Sequence, residues 1–144
     1  MKKLLLLLFL IPNLAFSDWE YIYGSTDVKD PNDPITATYL VTYYADFSTF
    51  KKITKDKVRL LYYGDTVMKA NSKYNPSDRT FMFSVKIYAE FDCKYELETE
   101  LSKTHYTNLE LKGEKTVMKD LEKNRIITPK TNQTIVFNIA CSKR

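Results

Sequence analysis

The chain has 144 residues, of which 44% are hydrophobic and 14% aromatic, and its formal net charge at neutral pH is +4. This composition is too apolar for a disordered chain and is typical of a globular protein rich in β-strands. The charge is too small for the concentrated basic surface that binds phosphate backbones, so we expect no nucleic-acid partner.

The first 17 residues have the pattern of a secretory signal peptide. Lys2 and Lys3 precede an apolar run, and small residues lead to a cleavage site after Ser17. A membrane-spanning helix is the alternative, but Pro12 interrupts the run before it reaches the roughly 20 residues that cross a bilayer. We therefore predict an exported protein, located in the periplasm or on the cell surface, whose mature chain has no transmembrane segment.

Residues 18–144 are predicted to form a single domain, since their number suffices for one modest core. Trp19 to Tyr23 alternates as a short strand does, and the turn-forming residues from Gly24 to Pro34 predict a surface loop. Ile35 to Tyr44 is rich in β-branched and aromatic residues, which predicts a second strand. Asp46 to Ile53 is predicted to be a turn or a short helix, because the aspartate can cap a helical turn.

The middle of the chain predicts three more strands. Lys57 to Tyr63 alternates and is expected to end at Gly64, and a long polar connection is expected from Val67 to Arg79. Phe81 to Cys93 has the clearest two-residue period, with one apolar and one polar face. Tyr95 to Tyr106 reads as its hairpin partner. Such alternation is typical of an antiparallel sheet that is covered on one side only.

The pattern leaves two later segments open. Glu114 to Asn124 fits a short amphipathic helix and an irregular loop equally well. Thr131 to Cys141 fits a strand by its composition and a helix by its four-residue spacing. The two cysteines, Cys93 and Cys141, are predicted to form a disulfide, because in an oxidising compartment two cysteines allow only one intramolecular pair.

Four short motifs follow one another along the chain: Asp18-Trp19-Glu20-Tyr21-Ile22, Tyr43-Tyr44-Ala45-Asp46-Phe47-Ser48, Glu90-Phe91-Asp92-Cys93-Lys94 and Ile139-Ala140-Cys141-Ser142-Lys143. Together they resemble the surface-adhesin protein E family of Gram-negative bacteria. The resemblance implies an α+β fold in which the disulfide holds a C-terminal helix to a small antiparallel sheet, and it favours a helix for the last segment. It also implies binding of host extracellular-matrix or serum proteins and a tendency to form homodimers.

Residues suited to catalysis are scarce. His105 is the single histidine, both cysteines are expected in the disulfide, and the three glycines form neither a nucleophile elbow nor a phosphate loop. We interpret His105 as structural and predict a protein that is not an enzyme and needs no cofactor.

A row of carboxylates is the one candidate for a metal site. Glu96, Glu98 and Glu100 alternate along the predicted strand, and carboxylate oxygens are ligands for divalent cations. We interpret the row instead as a solvated outer face that Lys86 balances from the neighbouring strand, and we expect no bound metal.

The candidate partner-binding residues are basic and aromatic, and they are Lys51, Lys52, Lys55, Lys57, Arg59 and Tyr62. Basic side chains beside rigid aromatic rings suit contacts with proteins or polyanions, although a plain solvated lysine face is the alternative. A second basic cluster, from Lys112 to Arg125, is mixed with acidic residues and is predicted only to solubilise its segment.

The sequence as a whole predicts an exported, non-enzymatic binding protein of the adhesin type. Its partner is expected to be a host matrix or serum protein. The alternative is a periplasmic accessory or inhibitor-like protein that binds a bacterial partner.

Overall fold

A computed structural model of the protein describes residues 18–27, 35–72, 75–129 and 131–144. Within these residues the chain forms seven β-strands and one α-helix. Their bounds are β1 Trp19–Asp27, β2 Ile35–Lys52, β3 Lys57–Ser72, β4 Asn75–Asp92, β5 Leu97–Tyr106, β6 Lys115–Val117, β7 Arg125–Ile126 and α1 Asn132–Ser142. The predicted signal peptide lies outside the described residues. No helix in the described part of the chain is long and apolar enough to cross a bilayer.

The seven strands form one antiparallel sheet in the order β1-β2-β3-β4-β5-β6, and β7 also pairs with β5. Strands that follow one another in sequence are neighbours, as short hairpin connections require. The strands β2, β3 and β4 are 18, 16 and 18 residues long. They continue past the last pair between β4 and β5, which joins Ser84 to Tyr106. We call the parts beyond that pair, residues 35–41, 66–72 and 75–83, the extension.

The helix α1 packs against one face of the sheet, which we call the inner face. The buried helix residues Val136, Phe137 and Ala140 belong to one core cluster with Leu60 and Phe91 of the sheet. The rings of Phe91 and Phe137 meet edge to face with their centroids 6.1 Å apart. Burial of these apolar side chains, rather than helix propensity, is what stabilises an 11-residue helix of this kind.

The Cys93–Cys141 disulfide joins the turn after β4 to the last turn of α1. The predicted bridge is therefore confirmed, and so is the predicted antiparallel sheet with a C-terminal helix. The segment Thr131–Cys141, which the pattern left open, is helical from Asn132 onward.

Four predicted element boundaries are wrong because strand pairing continues through local turn signals. β1 extends to Asp27 instead of ending before Gly24, while residues 28–34 of the predicted loop lie outside the described residues. β2 runs on to Lys52, so the turn or helix predicted from Asp46 is instead a bulged stretch of strand. The bulge explains the helix-like signal, because the Asp46 carboxylate accepts a hydrogen bond from the Ser48 amide at 3.0 Å.

Gly64 does not end β3, and the predicted connection from Val67 to Arg79 is mostly strand. β3 continues to Ser72, and β4 begins at Asn75. A Cβ atom on Gly64 would lie 3.0 Å from the ring of Tyr43 on the neighbouring strand. The glycine therefore makes room for an aromatic ring to lie across the strand, which is a second reason for glycine in a sheet besides a turn.

The glutamates of β5 face the core, and the predicted solvated face is wrong for two of them. Glu98 lies opposite Phe91 and Glu100 opposite Ala89, so both share the inner face with these core residues. Glu98 is 1% exposed and Glu100 2% exposed. Only Glu96, in the turn before β5, is exposed.

The outer face of the sheet is less polar than predicted. The rings of Tyr44 and Tyr63 stack with centroids 4.8 Å apart, and Trp19 meets Tyr63 edge to face at 4.7 Å. Ser84 belongs to the predicted polar face of the segment from Phe81 to Cys93. It is nevertheless fully buried and donates a hydrogen bond to the carbonyl oxygen of Asn108 at 2.9 Å. A loop after β5 thus covers part of this face, so the sheet is not bare on one side.

The segment from Glu114 to Asn124 is irregular apart from β6, Lys115–Val117. The loop alternative is therefore correct and the amphipathic helix is wrong.

Candidate functional site

A buried charged cluster on the inner face is centred on Glu98. Its carboxylate accepts a hydrogen bond from the Tyr62 hydroxyl at 2.5 Å and pairs with the Arg125 guanidinium at 2.6 Å. Arg125 lies in β7 and also pairs with Glu122 at 2.7 Å. Arg125 was predicted to be a solvated residue of a basic cluster, but it is the ion-pair partner of a buried carboxylate. The cluster thereby ties the irregular segment before α1 to the sheet.

Glu100 repeats this arrangement two residues further along β5. Its carboxylate pairs with the Lys103 ammonium at 3.0 Å and accepts a hydrogen bond from the Glu122 amide at 3.0 Å. Because the β4–β5 register shifts between Tyr88 and Ala89, Glu100 and Lys103 both pair with inner-face residues of β4. The charge of the buried carboxylate is therefore neutralised within β5 itself.

These polar groups border a cavity of about 210 Å³ between the sheet and α1. Its polar lining residues include Tyr43, Tyr62, Glu100, Lys103, Arg125 and Gln133. The charged ones are paired with each other or with Glu98, and no buried side-chain polar atom in the described residues lacks a partner. The cavity therefore has the electrostatics of a satisfied structural network.

The described residues contain no group of three or more His, Cys, Asp or Glu side chains that could hold a metal ion. His105 lies on β5, and its ring stacks on Phe83 with centroids 5.2 Å apart. This is a packing contact of the kind expected for a structural histidine.

The stability of the fold is expected to fall as pH rises above about 10. Burial raises the pKa of Tyr62 well above its ordinary value of 10.0, and the Glu98 carboxylate raises it further. Burial also raises the pKa of Tyr43 and of Tyr63. The folded state keeps these phenols protonated while unfolded tyrosines ionise, so their contribution is complete below pH 10 and is lost above it.

Urea unfolding at about pH 8 and about pH 11 measures this effect, with tyrosinate absorbance recorded in the same samples. The unfolding midpoint is expected to be lower at the higher pH, and the tyrosinate signal of the buried rings is expected to appear only with unfolding. Equal midpoints at the two pH values would contradict the prediction.

The predicted partner-binding residues do not all lie on one surface. Lys51, Lys52 and Lys55 are exposed around the β2–β3 turn. Arg59 contacts the Glu90 carboxylate at 2.8 Å, so part of its charge is neutralised. Tyr62 is 3% exposed and points to the inner face, so it offers no contact area beside the lysines.

Lys57, another of the predicted partner-binding residues, is both paired with carboxylates and exposed. Its ammonium contacts Glu90 at 3.3 Å and Asp92 at 3.9 Å, although its side chain is 42% exposed.

Three further basic residues join the β2–β3 turn at the same end of the sheet. The Cys93 amide donates a hydrogen bond to the Asp56 carbonyl oxygen at 2.7 Å, which brings Lys94 to this turn. Arg144 contacts the Asp56 carboxylate at 3.9 Å, and Lys143 lies 4.0 Å from the centroid of the Phe47 ring. We call this surface the basic end, and its residues are Lys51, Lys52, Lys55, Lys57, Arg59, Lys94, Lys143 and Arg144.

Sequence reasoning missed the last three of these residues, although one signal was available. A disulfide between Cys93 and Cys141 places the neighbours of both cysteines close together. Lys94 and Lys143 are such neighbours.

The opposite end of the strands carries exposed apolar side chains. Leu40, Val67 and Met82 lie side by side across β2, β3 and β4 in the extension. Leu40 is 41% exposed and Met82 50% exposed. We call these three residues the apolar row. Phe81 points to the other face and is 44% exposed. Sequence reasoning missed this surface because Val67, which lies between Leu40 and Met82, fell in a predicted loop.

The comparison with protein families agrees with the resemblance seen in the sequence. The model of the family described as surface-adhesin protein E matches residues 33–142. The solved structure of Haemophilus influenzae protein E is similar at a TM-score of 0.49 and 18% identity, covering 87% of this chain and 94% of that chain. No curated protein matches the chain. Because the family model spans well over half of the sequence, this protein belongs to the surface-adhesin protein E family.

Proposed function

We propose that this protein is an exported, non-enzymatic adhesin that binds a host extracellular-matrix or serum protein through the extension. Membership of an adhesin family supports the class of function. The apolar row is the observation that supports the surface. Leu40 and Met82 of the row are exposed, and Val67 lies half-buried between them on the same face of the paired strands.

Exposed apolar area is unfavourable in water, and this is the physical reason to expect a partner at the apolar row. Contiguous apolar patches on a soluble protein are typical of interaction sites, and methionine and aromatic residues are enriched at the cores of protein interfaces. Met82 in the apolar row is a residue of this type. Strand pairing fixes the backbone of the row before binding, so less conformational entropy is lost when a partner binds.

Substitution of the apolar row is expected to weaken partner binding. The double variant Leu40→Lys with Met82→Lys places two charges in the proposed interface, and we expect at least about a tenfold loss of affinity. The measurement is binding of the exported protein to surfaces coated with whole serum or with basement-membrane extract.

The control variant is Val117→Lys with Ile126→Lys, because these side chains are 69% and 72% exposed and lie in β6 and β7, which pair with β5 and are not part of the extension. Thermal melting of both variants establishes that each is folded. Equal binding by the two double variants would contradict the extension as the contact surface.

The location of the protein distinguishes host from bacterial partners. Protease treatment of intact cells that express an epitope-tagged chain is expected to remove the tag, because a host-binding adhesin must reach the outer surface. A tag that is protected until the outer membrane is opened would instead support the periplasmic accessory or inhibitor-like role. Edman sequencing of the exported protein should begin at Asp18 if the predicted signal peptide is cut after Ser17.

A further inference from the structure

We infer that the basic end is a binding site for a sulfated polysaccharide. The site is separate from the proposed protein-binding surface, because the basic end and the extension lie at opposite ends of the same strands. The two proposals can therefore fail independently.

Three segments that are distant in sequence form one surface at the basic end. The β2–β3 turn is hydrogen-bonded to Cys93 through Asp56, and the disulfide joins Cys93 to the end of α1. Arg144 closes the group by its contact with Asp56. Backbone hydrogen bonds and a covalent bond hold these segments together, so the cations are gathered before any ligand binds.

Most of the positive charge of the basic end is not neutralised. Within the described residues, five lysines of the basic end have no carboxylate within 4.0 Å, and these are Lys51, Lys52, Lys55, Lys94 and Lys143. All five are exposed. Concentration of like charge costs free energy in the unbound protein, and a polyanion that binds there relieves this repulsion and releases its own counterions.

The exposed side chains of the basic end suit a polysaccharide better than a protein. Protein interfaces have an apolar core, but Ile53 and Tyr95 are the only large hydrophobic side chains of these turns that are strongly exposed in the described structure. Tyr95 is 63% exposed, and the Lys94 ammonium lies over its ring, 4.7 Å from the centroid. A flat ring beside cations suits a sugar ring that bears sulfate groups, and an extended chain can reach all three segments.

The test uses heparin as the probe and the exported, disulfide-bonded protein. The triple variant Lys55→Gln, Lys94→Gln and Lys143→Gln removes one cation from each segment. Relative to the unchanged protein, we expect about tenfold weaker heparin binding at about 0.15 M salt. The slope of log affinity against log salt is expected to become shallower by roughly two, because each lysine that is removed no longer displaces counterions from heparin.

The matched control is Lys115→Gln, Lys119→Gln and Lys123→Gln, which removes the same charge from exposed lysines elsewhere. This control is expected to bind heparin within about twofold of the unchanged protein. Chemically desulfated heparin is expected to bind neither the unchanged protein nor the control variant. Equal losses in both triple variants would show a net-charge effect and overturn the site.

Vesicles that contain phosphatidylglycerol test the competing ligand class. Tighter binding to such vesicles than to heparin, with loss in the first triple variant only, would overturn the polysaccharide and assign the basic end to a membrane surface. Absence of heparin binding by the unchanged protein at low salt would also overturn the inference. Thermal melting of each variant excludes unfolding as the cause of any loss.

Discussion

Replacement of Glu98 by alanine is expected to lower the free energy of unfolding by about 3 kcal/mol. The carboxylate is 1% exposed and is shared by the Tyr62 hydroxyl and the Arg125 guanidinium. Its removal leaves a buried hydroxyl without an acceptor and a partly buried cation whose remaining carboxylate partner is the half-exposed Glu122. We expect the lower part of the usual range for a broken buried pair, because the Arg125 side chain is 26% exposed and water can reach it.

Urea unfolding of matched variants measures this effect. Glu96→Ala is the control, because Glu96 is exposed two residues away, and its cost is expected to stay within about 0.5 kcal/mol. The variant Glu98→Leu with Arg125→Leu removes both charges, so it should cost less than Glu98→Ala alone. A loss below about 1 kcal/mol for Glu98→Ala would contradict the role given to this cluster.

Removal of the disulfide is expected to cost about 4 kcal/mol of stability. The bridge closes a loop of 48 residues between Cys93 and Cys141, and the cross-link restricts the unfolded chain over that length. The double variant Cys93→Ser with Cys141→Ser isolates the effect, because it leaves no unpaired thiol. The loss should appear first at α1, since the bridge joins that helix to the end of β4.

Reduction of the unchanged protein provides the control for the serine substitutions. Its unfolding midpoint in urea is expected to match that of the double variant, and helical circular dichroism is expected to decrease before the sheet signal does. A fall of less than about 1 kcal/mol in both samples would show that packing of α1, and not the bridge, holds the helix in place.

The candidate site could be predicted only in part. The exposed lysines of the β2–β3 turn follow from the sequence, because they lie close together there. Tyr62 was grouped with them by its proximity in sequence, but successive strand residues point to opposite faces and the core takes this ring. Lys94 and Lys143 belong to the basic end only because the chain folds back on itself.

The sequence by itself determined that a strand forms within each of β1 to β5, although not how far each strand extends. It also determined that the two cysteines pair and, through the family resemblance, that the chain ends in a helix. These are local or combinatorial properties: alternation records one half-buried strand, and two cysteines allow one bridge. Only the tertiary structure decided which face of β5 is buried, because a one-residue change of register turns every side chain over. Pairing of β5 with β4 put Glu98 opposite Phe91, and Arg125 from a remote segment then made that burial tolerable.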